Sequence, residues 1–243
     1  MSNSSLIDTT VWCAEGNYTH GRDGKKIEKV TIHHMAGVLS VENCGRIFQQ
    51  AGRGASAHYG VGNDGRRALY VDEYNTAWAN SNWDENCKSV TIEISNSYAG
   101  GNYPVSDKAL RSAIELIADI AKRNGLGRLV KGKNLTWHSM FTNTYCPGDY
   151  LRSKLDYIVD EVNKINYPPT PSKKLYRVQV GAFKNKNNAD KLLKEIKGKG
   201  IDCFIKEESG LYKVQVGAYS VYANAEKMKK RLENMGYKAF IKE

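Results

Sequence analysis

The chain has 243 residues, 41% of them hydrophobic, enough for one medium domain and one small one, each with its own core. No apolar run approaches the roughly 20 residues that span a bilayer, which excludes membrane insertion. The opening residues MSNSSLIDTTVW lack the basic-then-apolar layout of a secretory signal, so synthesis in the cytoplasm without a leader is expected. The formal net charge of +10 is unevenly placed: residues 171–243 carry 17 Lys/Arg against 8 Asp/Glu, and residues 1–170 carry 19 against 18. The basic C-terminal third is therefore the part that seeks a polyanion, whether nucleic acid, anionic lipid or an anionic wall polymer.

In chain order, Lys29 to His33 reads as a short apolar strand and Val41 to Ala51 as a helix. Ala57 to Gly62 and Arg66 to Asp72 form a hairpin across Asn63-Asp64-Gly65, where Asp-Gly is a strong turn signal. Ser89 to Ser95 is another strand. Val105 to Arg123 is the longest helix, with Ala109, Ala113, Leu116, Ile117 and Ile120 at helical spacing. Leu135 to His138 ends the set of strands and Tyr150 to Lys164 closes the unit. This order predicts an α/β domain over residues 1–165, with a mixed central sheet flanked by helices.

Three of the five prolines fall in Tyr167-Pro168-Pro169-Thr170-Pro171-Ser172, so residues 166–174 are expected to form an extended spacer. Beyond it the sequence repeats: Leu175-Tyr-Arg-Val-Gln-Val-Gly-Ala-Phe183 matches Leu211-Tyr-Lys-Val-Gln-Val-Gly-Ala-Tyr219, and Cys203-Phe-Ile-Lys-Glu207 matches Ala239-Phe-Ile-Lys-Glu243. Each copy reads strand, helix, strand, with helices from Asn188 to Lys197 and from Ala223 to Met235. Residues 175–243 are thus predicted to be a small α+β domain of βαββαβ order, a four-stranded sheet with both helices on one side. Alternation turns Val178, Val180, Val214 and Val216 to the helices. It leaves Arg177, Gln179, Phe183, Lys213, Gln215 and Tyr219 on the open face, where amide, cation and aromatic groups suit sugar rings. The same positions are also compatible with an ordinary solvated sheet.

The chemistry must come from a small set of residues. The histidines are His20, His33, His34, His58 and His138. His33 and His138 each end an apolar strand, where side chains emerge into clefts, and Cys146 precedes Pro147-Gly148. Two His and one Cys make a three-donor zinc set that leaves a fourth position for water; on spacing alone a structural role is the commoner one. The five cysteines, Cys13, Cys44, Cys87, Cys146 and Cys203, are odd in number and widely spaced, so reduced thiols are expected. Glu93 interrupts the apolar strand Val90-Thr-Ile-Glu-Ile94, a costly place for a carboxylate unless it is paired or works. Neither a phosphate-cradling Gly loop nor a dinucleotide fingerprint is present, so no organic cofactor is expected.

The strand Val30-Thr-Ile-His33-His34, the segment Ser56-Ala-His-Tyr-Gly-Val61, the strand Ser89-Val-Thr-Ile-Glu93-Ile, and His138 with Cys146-Pro-Gly148 occur in that order. Together they resemble the type 2 N-acetylmuramoyl-L-alanine amidases, over about residues 25–160. The resemblance implies zinc held by His33, His138 and Cys146, a proton carrier at Glu93, and hydrolysis of the amide between muramic acid and the L-alanine of the stem peptide. It leaves His34 as a packing or supporting residue, His58 as structural and His20 at the surface. Two positions depart from some members: Ala57 stands where they carry a catalytic Tyr, and Thr144 where they carry a Lys, so Thr144 is the candidate donor to the oxyanion.

The doubled Tyr-[Arg/Lys]-Val-Gln-Val-Gly-Ala-[Phe/Tyr] resembles the SPOR family, which implies binding to glycan strands stripped of stem peptides. Peptidoglycan is then the expected partner of both domains, and a phage endolysin or a bacterial autolysin the expected setting. The alternatives are a non-catalytic peptidoglycan recognition protein, a cytoplasmic amidase of small muropeptides, and RNA binding by the basic domain. Nucleic acid is not expected, because Gln179 and Gln215 occupy the exposed positions where RNA-recognition sheets place stacking aromatics. Oligomeric state stays open.

Overall fold

The structure, a computed structural model, describes residues 3–168 and 174–243. The chain divides into two compact units, Met1–Pro168 and Pro169–Glu243. The spacer expected over 166–174 falls mostly on residues 169–173, which lie outside the described residues.

The elements of the first unit are β1 (Thr9–Thr10), β2 (Tyr18–Thr19), β3 (Lys29–His34), α1 (Val41–Phe48), β4 (Tyr59–Val61), β5 (Arg67–Leu69), β6 (Thr76–Ala77), α2 (Trp83–Lys88), β7 (Ser89–Ile94), α3 (Asp107–Arg123), β8 (Leu135–Trp137) and α4 (Gly148–Asn166). Six strands make one mixed sheet in the order β1-β5-β4-β7-β3-β8. The β4/β5 hairpin is antiparallel, while β4, β7, β3 and β8 run parallel.

Period-2 alternation sorts the central strands. Val30, Ile32, Val90, Ile92, Ile94 and Leu135 join the main core with Leu116, Ile117 and Ile120 of α3 and Leu151, Leu155, Ile158 and Val162 of α4. The intervening residues make the other face polar. There the Thr31 hydroxyl bonds Ser89 at 3.0 Å and Thr136 at 2.8 Å. Helix starts are fixed by side-chain oxygens: Ser40 accepts from Asn43 N, Asn82 from Glu85 N and Ser106 from Ala109 N.

Helix α4, with 19 residues, exceeds the 17 of α3, so the sequence reading placed the longest helix wrongly. That reading began the closing helix at Tyr150, but the chain turns helical directly after Pro147. Helix α1 stops at Phe48, short of Ala51, and α2, β1, β2 and β6 are additional elements. His138 opens a short 3₁₀ turn, His138–Met140, and is not the end of β8.

The second unit contains β9 (Tyr176–Phe183), α5 (Lys186–Gly198), β10 (Phe204–Glu208), β11 (Leu211–Tyr219), α6 (Tyr222–Asn234) and β12 (Phe240–Lys242). Its four-stranded antiparallel sheet has the order β10-β11-β9-β12. Val178, Val180, Val214 and Val216 are buried in its core with Ala189 and Ile196 of α5 and Ala225 and Leu232 of α6.

Candidate active site and binding face

In parallel neighbours of one register, His33 lies opposite Glu93, and Ile32 lies opposite Trp137. His33 and Glu93 therefore stand at the C-terminal ends of β3 and β7, with His138 directly after β8, at the edge where open α/β sheets bind ligands. The loop after β8 returns Cys146 to the same point, just before α4. Gly148 permits this return: its φ is +83°, and a Cβ there would lie 3.1 Å from Tyr103 Cβ and 3.5 Å from the His34 ring.

The donor atoms of His33, His138 and Cys146 all lie within 4.8 Å of one another. Cys146 Sγ is 3.7 Å from His33 Nδ1, and the two His rings are 4.6 Å apart. His33 Nε2 sits 3.0 Å from Asn80 Oδ1. Asn80 Nδ2 donates to Glu85 O and Ser89 Oγ, both at 3.2 Å, so Oδ1 faces His33 as an acceptor. The His33 proton then belongs on Nε2, and Nδ1 is free as a lone pair beside the thiol. His138 Nε2 is buried without a hydrogen-bond partner among the described residues. An orphaned imidazole nitrogen beside a thiol and a second free imidazole nitrogen is a donor set that fits a zinc ion.

Burial pushes the His33 pKa down to about 3, helped by the neighbouring His138 and opposed by the Asn80 hydrogen bond. Burial likewise lowers His138, which keeps both rings neutral as ligands must be. Burial raises the Cys146 thiol, with the Glu93 charge adding to it and the His34 backbone N–H opposing. Glu93 is pushed up to about 8 by burial, with Arg53 pulling the other way, and its Oε2 has no hydrogen-bond partner among the described residues.

These groups line a cleft of about 400 Å³ with Arg53, Trp78, Tyr103, Thr144 and Tyr145. The Thr144 hydroxyl accepts from Cys146 N at 3.3 Å, which holds it at the cleft wall. The cleft continues past Trp78 and His138 to Trp83, a solvent-facing indole. His34 is buried against Tyr103, with ring centroids 4.7 Å apart. His58 is enclosed by Arg22 at 2.8 Å and Thr91 at 3.0 Å, far from a ligand role. His20 is exposed and meets Tyr18 edge to face. Asn80 was missed by sequence reading; only its place before the Asn82 helix cap hints that it is held rigidly.

In the second unit, Arg177, Gln179, Lys213 and Gln215 border a concavity of about 290 Å³ on the open sheet face. Phe183 and Tyr219 do not join them: both pack against the helix-side core, and Phe183 lies beside Leu192 of α5. The cause is a pair of register shifts. Gln215 pairs with Gln179, but Val214 pairs with Gly181 and Ala218 with Arg177, so an extra residue on each strand inverts the alternation beyond it. Their place is taken by Phe204 and Phe240, half-exposed rings at 49% and 54%. Phe204 pairs with Gln215, and Phe240 with Gln179. The open face thus carries a row across all four strands, Phe204-Gln215-Gln179-Phe240.

The strand ends of a mixed α/β sheet thus bring together a thiol–imidazole donor set and a carboxyl, groups suited to hydrolysis. Residues 23–149 match the family model described as N-acetylmuramoyl-L-alanine amidase, more than half of the chain, and the chain belongs to that family. Residues 172–243 match the SPOR domain model. Among solved structures, the fold is similar to that of PlyL, at 19% identity and a TM-score of 0.53, covering 63% of this chain and 95% of that one. The PlyG catalytic domain is similar at 19% identity and TM-score 0.54, with 68% and 100% covered. The catalytic domain of XlyA gives 18% identity and 0.51, with 64% and 99% covered. No curated protein sequence matches the chain. The protein is a peptidoglycan amidase that carries a cell-wall-binding module.

Proposed function

We propose that His33, His138 and Cys146 hold a zinc ion and that Glu93 is the proton carrier for hydrolysis of the muramoyl–L-alanine amide. The observation that carries this reading is the convergence of the three donor atoms within 4.8 Å at the strand ends where Glu93 emerges. Zinc in this set would supply a Lewis acid that polarises the lactyl carbonyl and acidifies a water. Glu93, at the strand end beside the donor set, takes the proton of the attacking water and returns it to the departing amine of L-alanine. The Thr144 hydroxyl donates to the developing oxyanion. Asn80 fixes the His33 ring, and Trp78 and Tyr103 wall the reaction from bulk water.

The second unit, on this reading, holds glycan strands from which stem peptides have been removed. Aromatic rings of Phe204 and Phe240 stack on sugar faces, while Gln179 and Gln215 bond hydroxyl and acetamido groups. Arg177 and Lys213 border the same surface. The enzyme then binds the product of its own cleavage and stays on the wall, as suits a lytic amidase of the endolysin or autolysin kind, acting on the wall after release.

Digestion of purified peptidoglycan by the wild type and by Glu93→Ala, with and without a zinc chelator, tests the catalytic assignment. Mass spectrometry is expected to find stem peptides with L-alanine amino termini from the wild type, absent in the variant and after chelation. Release that survives chelation and metal depletion would remove zinc from the mechanism. Full activity in Glu93→Ala would remove the proton carrier.

A further inference from the structure

On the open face of the second unit, alternation along β12 sends Ile241 to the core and Phe240 and Lys242 outward. Lys242 lies directly opposite Arg177 of β9 in the register. Like charges facing one another across adjacent strands repel, and such a pair calls for an anion. The internal repeat supplies a comparison. Lys206 of β10 lies opposite Lys213 of β11 in the same way, but there Glu208 reaches both, at 3.0 Å and 2.5 Å.

At Arg177 and Lys242 the situation differs. The guanidinium donates to the Leu175 carbonyl at 3.4 Å, and among the described residues neither cation is paired with a carboxylate. Glu243 borders the same concavity but is engaged by Lys174 at 2.8 Å. The repeat has thus produced two equivalent cation pairs, one bridged by a carboxylate of the same unit and one not.

The neighbours of the unmatched pair narrow the anion. Gln179 and Phe240 lie two residues along the same strands, about 7 Å away, and offer an amide and an aromatic ring. A sugar ring over these two would place a short acidic substituent at the cations. Hydrolysis of the lactyl amide breaks the carbonyl–nitrogen bond. The water oxygen stays on the lactyl carbon as a carboxylate, and L-alanine leaves as an amine that takes up a proton. Each cleavage therefore converts a neutral amide into an anion on the sugar.

We propose that Arg177 and Lys242 form an anion subsite for the lactyl carboxylate that the amidase itself exposes on muramic acid. The unit then selects its product by charge as well as by the missing peptide. This rests on the reading of the face as glycan-binding.

The test uses the full chain and purified glycan strands free of stem peptides, either with free lactyl carboxylates or with the same groups capped as methylamides, followed by calorimetry. The wild type is expected to bind the free acid roughly tenfold more tightly than the capped strand. Arg177→Gln with Lys242→Gln is expected to make the two strands bind equally well, and Lys206→Gln to keep the roughly tenfold difference. Equal wild-type affinity for both strands would overturn the subsite and leave the glycan reading standing. Loss of the difference in Lys206→Gln would overturn its assignment to this pair. Binding of neither strand would overturn the glycan reading, and the subsite with it.

Discussion

His58 is surrounded, with Arg22 at 2.8 Å on one side and the Thr91 N–H at 3.0 Å on the other, whereas His138 Nε2 meets no hydrogen-bond partner among the described residues. That contrast, and not the presence of histidine, separates a structural residue from a donor. Burial, and then the Arg22 charge, hold the His58 pKa well below its ordinary value, with the Asn75 carbonyl opposing. In the unfolded chain it titrates near 6.5. Below that pH the unfolded state takes a proton that the folded state refuses, so stability falls with falling pH; above it, His58 contributes no pH dependence. His58→Gln keeps an acceptor for Arg22, and it is expected to flatten the fall of unfolding free energy between roughly pH 6 and pH 5 by about 1.4 kcal/mol per pH unit. Denaturant titrations of wild type and variant at both pH values check this. Asn80→Ala is expected to weaken zinc binding by roughly 10- to 100-fold, since the acceptor that fixes the His33 tautomer is lost. Competition with a chromophoric chelator measures it, and recovery of activity at high zinc would separate it from loss of the fold.

At the scale of elements, strands with strong alternation were readable: Lys29–His34, Ser89–Ile94 and the hairpin around Asn63-Asp64-Gly65 lie where the pattern places them. Helix α2 was not, because six residues with two acids, an Asn and a Lys offer no apolar stripe, and only the Asn82 cap marks it. The bulges in β9 and β11 were hidden for another reason. Alternation assumes an uninterrupted ladder, and an extra residue turns Phe183 and Tyr219 inward without changing the composition that suggested them. Phe204 and Phe240 could have been found, since Ile205 and Ile241 must point to the core and the adjacent residue must then point away. The site shows the same division. His33 and Glu93 announce themselves at strand ends, but Asn80 comes from a loop whose position depends on tertiary packing. The turn before α4 carries its own test. Gly148→Ala places a Cβ at positive φ and 3.1 Å from Tyr103, so it is expected to cost about 1–2 kcal/mol of stability and to lower activity by displacing Cys146. Thermal unfolding and zinc content of the purified variant are the measurements.

For the whole molecule, catalysis and retention reside in separate units, so they should be separable by substitution. Gln179→Ala with Phe240→Ala in the full chain is expected to reduce retention on intact sacculi at least tenfold while leaving turnover of a small soluble muramoyl peptide unchanged. Pull-down with sacculi and chromatography of the released peptide provide the two readings. The excess charge of residues 171–243 was visible at once in the sequence, but its arrangement into two facing cation pairs was not, since that depends on which strands become neighbours. The row Phe204-Gln215-Gln179-Phe240 has a further property. Its two halves come from two copies of one sequence on antiparallel strands, so the aromatic and amide groups read the same from left to right as from right to left. A glycan strand is not so indifferent, having a reducing and a non-reducing end. Glu208, present beside one cation pair only, breaks the palindrome, and an anionic strand laid across this face therefore meets a surface with a head and a tail.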